Sequence, residues 1–285
     1  MASKDKAFYS KNTLNLNGNL VELSFPKIMG ILNVTEDSFY DGSKFTNDYE
    51  ISRQVEKMIN EGADIIDIGG YSSRPGANDI DENTEMERVL RGIKSVKEIS
   101  GDIPISVDTF RSTVASKSLE AGASMINDIS GGNLDGKMFQ TVHDYGAPYV
   151  LMHMVGTPQN MSSKTAYENL LVEMLNFFSK KLQDLTQFGI KDVIIDVGFG
   201  FSKTTPQNYD LLASLELFQI LNSPLLVGIS RKSMIYKELK TNPENALNGT
   251  SVLNTISLLK GANILRVHDV KEAKEVLKLV NLINN

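Results

Sequence analysis

The sequence predicts an α/β fold, a single (β/α)8 barrel with a short β-hairpin at its N-terminal end. Eight short apolar runs, each breaking off in polar or glycine residues, are continuous rather than alternating. That is how strands buried on both faces of a parallel sheet read. Segments with helical periodicity fill the spaces between them. No linker, low-complexity tract or charge block divides the 285 residues. A length that admits about two average domains therefore resolves to one barrel over 27–285, behind a hairpin over 1–26. The competing architecture is a doubly wound open sheet, which rarely needs eight such regular units.

The hairpin comes first in the chain. Leu14, Leu16 and Leu20 alternate around Asn17-Gly18, a dipeptide suited to a two-residue turn, and the pair of strands reads as a small lid over the barrel's N-terminal end. The apolar runs follow at 28–34, 64–68, 103–107, 124–129, 148–154, 193–197, 225–229 and 263–267. Helical patterns lie at 51–60, 86–99, 113–120, 207–221, 246–259 and 270–283, with weaker signals around Phe139 and Ile235. The clearest runs from Tyr167 through Leu170, Leu171, Met174, Leu175, Phe178, Leu182 and Leu185 to Phe188, and stops at Gly189. Asn248 and Gly249-Thr250 read as a cap for the helix that follows them.

Composition narrows the chemistry. The absence of cysteine excludes a disulfide framework, a thiolate metal site and a cysteine nucleophile. The three histidines, His143, His153 and His268, are far apart, and no H-E-x-x-H pair exists. The net charge of 29 − 35 = −6 argues against nucleic acid as a partner. No run of 18 apolar residues suggests a membrane span. The opening Met-Ala-Ser-Lys-Asp-Lys lacks the apolar stretch of a signal peptide, so a cytoplasmic location is expected.

In a barrel of this type the active site lies at the C-terminal ends of the strands. The residues ending the runs are Asn33, Gly69-Gly70 with the Ser72-Ser73-Arg74-Pro75-Gly76 turn, Asp108, Asn127-Asp128, His153, Asp196, Ser230-Arg231-Lys232-Ser233, and Arg266 with His268. Asp108, Asn127 and Asp196 come from three strands and suit the donor-rich edge of a planar heterocycle, because a carboxylate accepts two parallel N–H bonds. Arg74, Lys232, Arg266 and His268 form a cationic set suited to phosphate. Asn33 offers a neutral oxygen to Mg2+, which prefers few protein ligands plus substrate phosphates. Asp67 and Asp128 read as caps or ion-pair partners, His153 as a hydrogen-bonded core histidine, and His143 as solvent-facing. Gly198-Phe199-Gly200-Phe201-Ser202-Lys203-Thr204 lacks the glycine a P-loop needs before Lys and fails G-x-G-x-x-G at Lys203.

These residues also carry a resemblance. The stretch from Ile28-Met29-Gly30-Ile31-Leu32-Asn33-Val34 to Ser38-Phe39-Tyr40-Asp41-Gly42 resembles the first signature of the dihydropteroate synthase family, and 62–77 resembles its second. Ser106-Val107-Asp108-Thr109, Ile126-Asn127-Asp128-Ile129, Met152-His153-Met154-Val155-Gly156-Thr157-Pro158, Gly198-Phe199-Gly200-Phe201, Ser230-Arg231-Lys232-Ser233 and Arg266-Val267-His268-Asp269 continue it in order, from residue 28 to 270. The resemblance implies a (β/α)8 barrel that joins 4-aminobenzoate to a hydroxymethyl-dihydropterin diphosphate and releases diphosphate, with Mg2+ as cofactor and a homodimer as the usual assembly. It implies that Asp108, Asn127 and Asp196 hold the pterin with Lys232 beside the ring. Arg74, Arg266 and His268 would take the diphosphate, and Asn33 the Mg2+. Phe39, Ser73, Pro75 and Ser233 would shape the aminobenzoate pocket, where sulfonamides bind in the family. Asp37 and Asp41 lie on the first loop, which closes over the substrates.

Departures from the family pattern are few: Glu36 for Pro, Tyr71 for Glu, Ser73 for Thr, Val197 for Pro and Ser202 for Gly. None removes an implied ligand. Two other readings compete. A pterin-binding methyltransferase barrel would share the acidic and amide residues but has no diphosphate to release, and the Ser73-Arg74-Pro75-Gly76, Ser230-Arg231-Lys232 and Arg266-Val267-His268 sets favour the synthase. A non-catalytic pterin-binding paralogue is disfavoured by the complete set of matched ligands.

Overall fold

A computed structural model of the chain describes residues 13–35, 46–73 and 79–284. It opens with β1 (Thr13–Leu16) and β2 (Asn19–Glu22). Strands and helices then alternate: β3 (Lys27–Asn33), α1 (Thr46–Asn60), β4 (Ile65–Gly69), α2 (Glu82–Ile99), β5 (Ile105–Asp108), α3 (Ser112–Glu120), β6 (Met125–Asp128), α4 (Met138–Tyr145) and β7 (Tyr149–Met152). The second half continues with α5 (Leu170–Gln187), β8 (Val193–Asp196), α6 (Thr205–Ala213), β9 (Leu225–Val227), α7 (Ser233–Tyr236), α8 (Leu247–Leu259), β10 (Ile264–Val267) and α9 (Val270–Asn284). Strands β3 to β10 close in the order β10-β3-β4-β5-β6-β7-β8-β9, each neighbouring pair parallel. A closed ring has no edge strands, which excludes the doubly wound alternative. No helix among the described residues is long and apolar enough to cross a membrane.

The hairpin turn follows from Asn17-Gly18, whose φ values of 52° and 86° are both positive, as a type I′ turn requires. Leu16 then pairs with Asn19. Asn17 Nδ2 donates to Ser124 Oγ at 3.0 Å, and the Asn15 amide donates to Asp192 Oδ2 at 3.2 Å, which ties the hairpin to the segments entering β6 and β8. Leu14, Leu16 and Leu23 are thereby buried against Met29, Ile65, Met125, Val150, Ile194, Leu226 and Ile264, the lowest inward layer of the barrel. The hairpin stoppers the end opposite the strand C-termini.

Alternation along each strand sorts the rest. Outward residues such as Ile66, Ile68, Val107, Ile126 and Val227 join helix residues Val55, Val89, Ile93, Phe178 and Leu277 in the main core. Two residues above the apolar bottom layer the same inward parity reaches Asp67, Asn127, Asp196 and Arg266. The barrel interior therefore changes from aliphatic to charged within one step of the pleat.

Local structure differs from the sequence expectation at three helices. The 207–221 pattern divides into α6, closed by a reciprocal Thr204–Gln207 capping box, and a 3-10 segment Leu215–Leu221. The helix expected from Tyr167 starts at Leu170, because Asn169 accepts the Val172 amide and caps it. Asn248, Gly249 and Thr250 are not a cap: they lie inside α8, whose N-cap is Ala246. Gly249 is small because a Cβ there would meet Ile235 Cγ2 at 2.4 Å.

Leu16→Ala should destabilise the chain by about 2–5 kcal/mol, since it opens a cavity in a fully enclosed layer. Leu20→Ala, on the exposed strand face of the same hairpin, should stay within about 0.5 kcal/mol. Urea unfolding of the two variants checks the contrast, and equal effects would remove the stopper role.

Candidate active site

Strand register brings the upper polar residues into one row. Asn33 pairs with Gly69, Gly69 with Asp108, and Asp108 with Asn127. Gly69 leaves space between its neighbours, since a Cβ there would stand 3.5 Å from Asn33 Oδ1 and 3.9 Å from the Asp108 Cβ.

An ion cluster crosses the barrel beside this row. Arg266 on β10 donates through Nε to Asp67 Oδ2 and through Nη2 to Asp108 Oδ2, each at 2.6 Å. Asn127 Nδ2 donates to the same Asp67 oxygen at 3.2 Å. Burial opposes the Arg266 charge, yet Asp67 and Asp108 together outweigh it and raise the guanidinium pKa. Two carboxylates against one cation leave an excess of negative charge. Burial pushes Asp108 up to about 7, against the pull of Arg266 and with the help of Asp67. Asp67 Oδ1, Ser106 Oγ and Asn127 Oδ1 are buried and have no hydrogen-bond partner among the described residues. Native interiors seldom leave such groups unpaired. Asp67 and Asn127, in one inward layer, make a floor that calls for N–H or O–H donors from a ligand, while Ser106 lies beneath them opposite Met125.

The second wall is the loop after β8. Asp196 Oδ1 accepts the Gly198 amide at 2.7 Å. Gly198 has φ +67°, and a Cβ there would stand 2.3 Å from the His153 carbonyl oxygen, so only glycine fits. Lys232 Nζ donates to the Phe199 carbonyl at 2.5 Å and sits 4.7 Å from the centre of the Phe201 ring. Burial lowers the Lys232 pKa to about 8, with Asp196 pulling it back up. Burial likewise raises Asp196, with Lys232 opposing. The glycines of the 198–204 stretch thus serve a tight loop and not a nucleotide motif.

At the third wall His268, just beyond β10, has Nδ1 3.0 Å from Ser230 Oγ, which also receives the His268 amide at 3.2 Å. Arg231 turns away from the mouth: it forms a two-pronged pair with Asp269 and donates to the Pro243 and Glu244 carbonyls. Its φ of +56° lets the chain reverse so that Lys232 points the other way. Ser233 opens α7 directly after Lys232. Ser73 follows β4 in the loop and is half-buried. Phe39, Asp41, Arg74 and Pro75 lie outside the described residues, as do Glu36 and Asp37.

Asp108, Asn127, Asp196, Lys232, Arg266 and His268 therefore meet at one barrel mouth. The acidic and cationic sets, distinct by chemistry in the sequence, are joined directly by Arg266. Asp67, read from sequence as a cap or ion-pair partner, is the anchor of both Arg266 and Asn127. The ion-pair reading holds; inward parity, two residues beyond Ile65, is the signal that could have set it among the site residues. His153 is enclosed as expected, with burial and Lys203 lowering its pKa to about 3. Asp128 is a turn residue that accepts the Ser130 and Gly132 amides and the Tyr149 hydroxyl. Tyr71, the departure from Glu, packs edge-on against Phe110 beneath Arg111 and accepts from Gln159 Nε2 at 2.6 Å.

For a metal, the described residues hold no group of three or more His, Cys, Asp or Glu side chains placed to enclose one. Asn33 supplies a single hard, uncharged oxygen beside the space over Gly69. That donor set fits an ion that arrives with phosphate oxygens and keeps several waters, as Mg2+ does.

Comparison with known proteins gives the family and the fold. The family model described as "Pterin binding enzyme" matches residues 29–268. The chain is 40% identical over 265 residues to dihydropteroate synthase of Escherichia coli K12, covering 92% of this chain and 93% of that protein. It is 42% identical over 260 residues to the Clostridium beijerinckii enzyme, covering 90% and 93%. A crystal structure of Yersinia pestis dihydropteroate synthase with a sulfonamide drug complex superposes with TM-score 0.90 at 38% identity, over 95% of this chain and 99% of that one. The Xanthomonas albilineans enzyme with 4-aminobenzoic acid gives 0.90 at 34% identity, over 96% and 98%.

Arg266→Ala should cost about 3–5 kcal/mol, because it leaves two buried carboxylates without a cation. Lys117→Ala, which breaks an exposed, solvent-screened pair with Glu120, should leave stability close to that of wild type. The raised Asp108 pKa also sets a sign. Between its ordinary value of 3.8 and about 7 the folded chain holds more protons than the unfolded one. The contribution is full below about pH 4 and is lost as pH rises through about 7. Urea titrations across this window should show a downward slope in stability that Asp108→Asn removes; an unchanged slope in the variant would contradict the assignment.

Proposed function

Because the chain belongs to the pterin-binding enzyme family, among the dihydropteroate synthases, we propose that its barrel mouth condenses 6-hydroxymethyl-7,8-dihydropterin diphosphate with 4-aminobenzoate. The products are 7,8-dihydropteroate and diphosphate, in folate biosynthesis. The single observation that carries the reading is the floor of orphaned acceptors beside the Asp67–Arg266–Asp108 cluster. A pterin presents adjacent N–H donors along one edge, and Asp108, Asn127 and Asp196 meet that edge, with Lys232 alongside the ring. Arg266 has two of its five N–H donors engaged by Asp67 and Asp108, so the remaining ones are held ready for an anion. His268 and Arg74 complete the diphosphate end. Phe39, Ser73, Pro75 and Ser233 are assigned to the aminobenzoate and Asp41 to the closing first loop, on the strength of the matched motifs and of the 4-aminobenzoic acid and sulfonamide found in the relatives.

In the reaction the bond from the pterin methylene to the diphosphate oxygen breaks, and its electron pair leaves with diphosphate. The electron-rich ring stabilises the positive charge left on the methylene. The neutral arylamine nitrogen then attacks that carbon and gives up one proton, so no strong general base is needed. Arg266, anchored by two carboxylates, cannot swing away and is positioned before the leaving group gains charge. Asn33 would hold Mg2+ against the phosphates, where the ion supplies electrostatic stabilisation of the leaving group. Closure of the first and second loops would exclude water, which otherwise quenches the cation.

The reading also includes a cytoplasmic location and a homodimer. Self-association is supported by exposed apolar residues on the two adjacent C-terminal helices, Val252 and Leu259 on α8 with Leu279 and Leu282 on α9. A concentration-independent monomer in sedimentation velocity would refute it.

Supplying pterin diphosphate, Mg2+ and 4-aminobenzoate should release diphosphate only when all three are present; release without aminobenzoate dependence would sink the reading. kcat/KM for the pterin substrate should be bell-shaped, rising as Asp108 ionises near pH 7 and falling as Lys232 loses its proton near pH 8. Lys232→Met should lower activity and abolish the alkaline limb. Asp196→Asn should weaken an unphosphorylated pterin, whereas Arg266→Ala should weaken the diphosphate more than that pterin.

A further inference from the structure

Lys203 carries a charge that the reaction does not use. The residue is 8% exposed, and among the described residues its ammonium is hydrogen-bonded to carbonyl oxygens and an imidazole rather than to a carboxylate. Nζ lies 3.1 Å from the Gly198 carbonyl, 3.0 Å from that of Phe201 and 3.4 Å from that of His153, with His153 Nδ1 at 3.2 Å. An ammonium has donors only, so His153 Nδ1 is an acceptor and the neutral ring carries its proton on Nε2. Burial lowers the Lys203 pKa to about 7, and Asp196 opposes the shift. Three carbonyl dipoles and an imidazole lone pair thus enclose one buried cation.

The surrounding backbone can converge in this way only by turning sharply. Gly198, Gly200 and Ser202 have φ of +67°, +81° and +46°. Ser202 adopts this conformation without the freedom of glycine. Its Oγ accepts the Val155 amide at 2.9 Å, and its carbonyl accepts the Tyr167 hydroxyl at 2.9 Å. The other side of the same loop faces the mouth. The Gly198 amide holds Asp196, the Phe199 carbonyl holds Lys232, and the Phe201 ring underlies Lys232. A Cβ on Gly200 would come 3.3 Å from Lys232 Cδ, so the backbone passes directly beneath that side chain.

We propose that Lys203 is a positioning residue for the pterin end of the site: its caged ammonium folds the Gly198–Ser202 loop into the one shape that aims both Asp196 and Lys232. The proposal rests on the pterin-binding reading of the mouth. Lys203 acts through the loop backbone, which distinguishes it from a general contribution to packing. Its loss should be felt by the pterin and not by the aminobenzoate.

Lys203→Met keeps the unbranched stem and removes the cation. The test compares wild type, this variant and Thr204→Ala, which breaks only the α6 cap, by titrating 6-hydroxymethylpterin and by steady-state kinetics with each substrate varied. Lys203→Met should raise both the pterin Kd and the KM for pterin diphosphate by about tenfold or more, with the KM for aminobenzoate within about twofold. Thr204→Ala should lower Tm while leaving pterin affinity as in wild type. Wild type that fails to bind pterin would overturn the functional reading itself. Wild type that binds, with Lys203→Met binding equally or losing both substrates in proportion, would overturn the positioning role alone. Should Lys203→Met fail to fold, 15N-lysine NMR of the wild-type enzyme decides: an exchange-protected Lys203 ammonium signal that shifts when pterin binds supports the proposal, and an unmoved one refutes it.

Discussion

Two carboxylates, Asp67 and Asp108, share the Arg266 guanidinium inside a barrel whose lower layer is apolar apart from Ser106. Such a cluster is costly to bury and is held in place by the closed ring around it. β4, β5 and β10 each contribute one member, and their register brings the three charges together. Because one cation faces two anions, the cluster retains acceptor capacity, which the unpaired oxygens of Asp67 and Asn127 express. The same arrangement fixes Arg266 at one end and leaves further donors of its fork for an anionic ligand. Ligand binding and the burial of charge are thus one design: the substrate supplies the donors that the folded interior lacks, and its anionic end meets the remaining donors of Arg266.

Around this cluster the supporting structure works by backbone rather than by further side-chain chemistry. The loop after β8 offers an amide to Asp196 and a carbonyl to Lys232, and Lys203 gathers its other carbonyls. Arg231 spends its fork on Asp269 and two carbonyls, which sets the turn that presents Lys232. Ser230 braces His268 in the same fashion. The hairpin at the opposite end closes the apolar layer, so the polar mouth opens on one side only. This explains how a chain with no cysteine and one histidine at its mouth can carry a group transfer: the chemistry depends on held charges and not on an activated nucleophile.

Much of this was legible in the amino-acid order. The eight apolar runs located all eight barrel strands to within a few residues, because strands covered on both sides must be continuous and aliphatic. Asn17-Gly18 marked the hairpin turn because few other pairs tolerate two positive φ values. Asp108, Asn127, Asp196, Lys232, Arg266 and His268 stood out as polar groups that end such runs. Asp67 did not, because a single carboxylate within an apolar run looks the same whether it caps a helix or anchors a guanidinium. The continuous 207–221 pattern likewise concealed the break after Ala213, where hydrophobic spacing persists while the helix type changes. Asn248, Gly249 and Thr250 had the composition of a cap but were drawn into α8 by the close approach of Ile235.

The amino-acid order by itself determined the barrel, its hairpin and the chemical inventory of its mouth, since these depend on hydrophobic period, turn chemistry and residue type, all of which are local. The tertiary structure alone decided which charges neutralise one another and which stay available. That Arg266 pairs with Asp67 and Asp108, that Arg231 faces away while Lys232 faces in, and that Lys203 is caged by carbonyls are matters of register and loop reversal. They depend on contacts between residues as far apart as 67 and 266, and electrostatic energy depends on those distances and not on position along the chain.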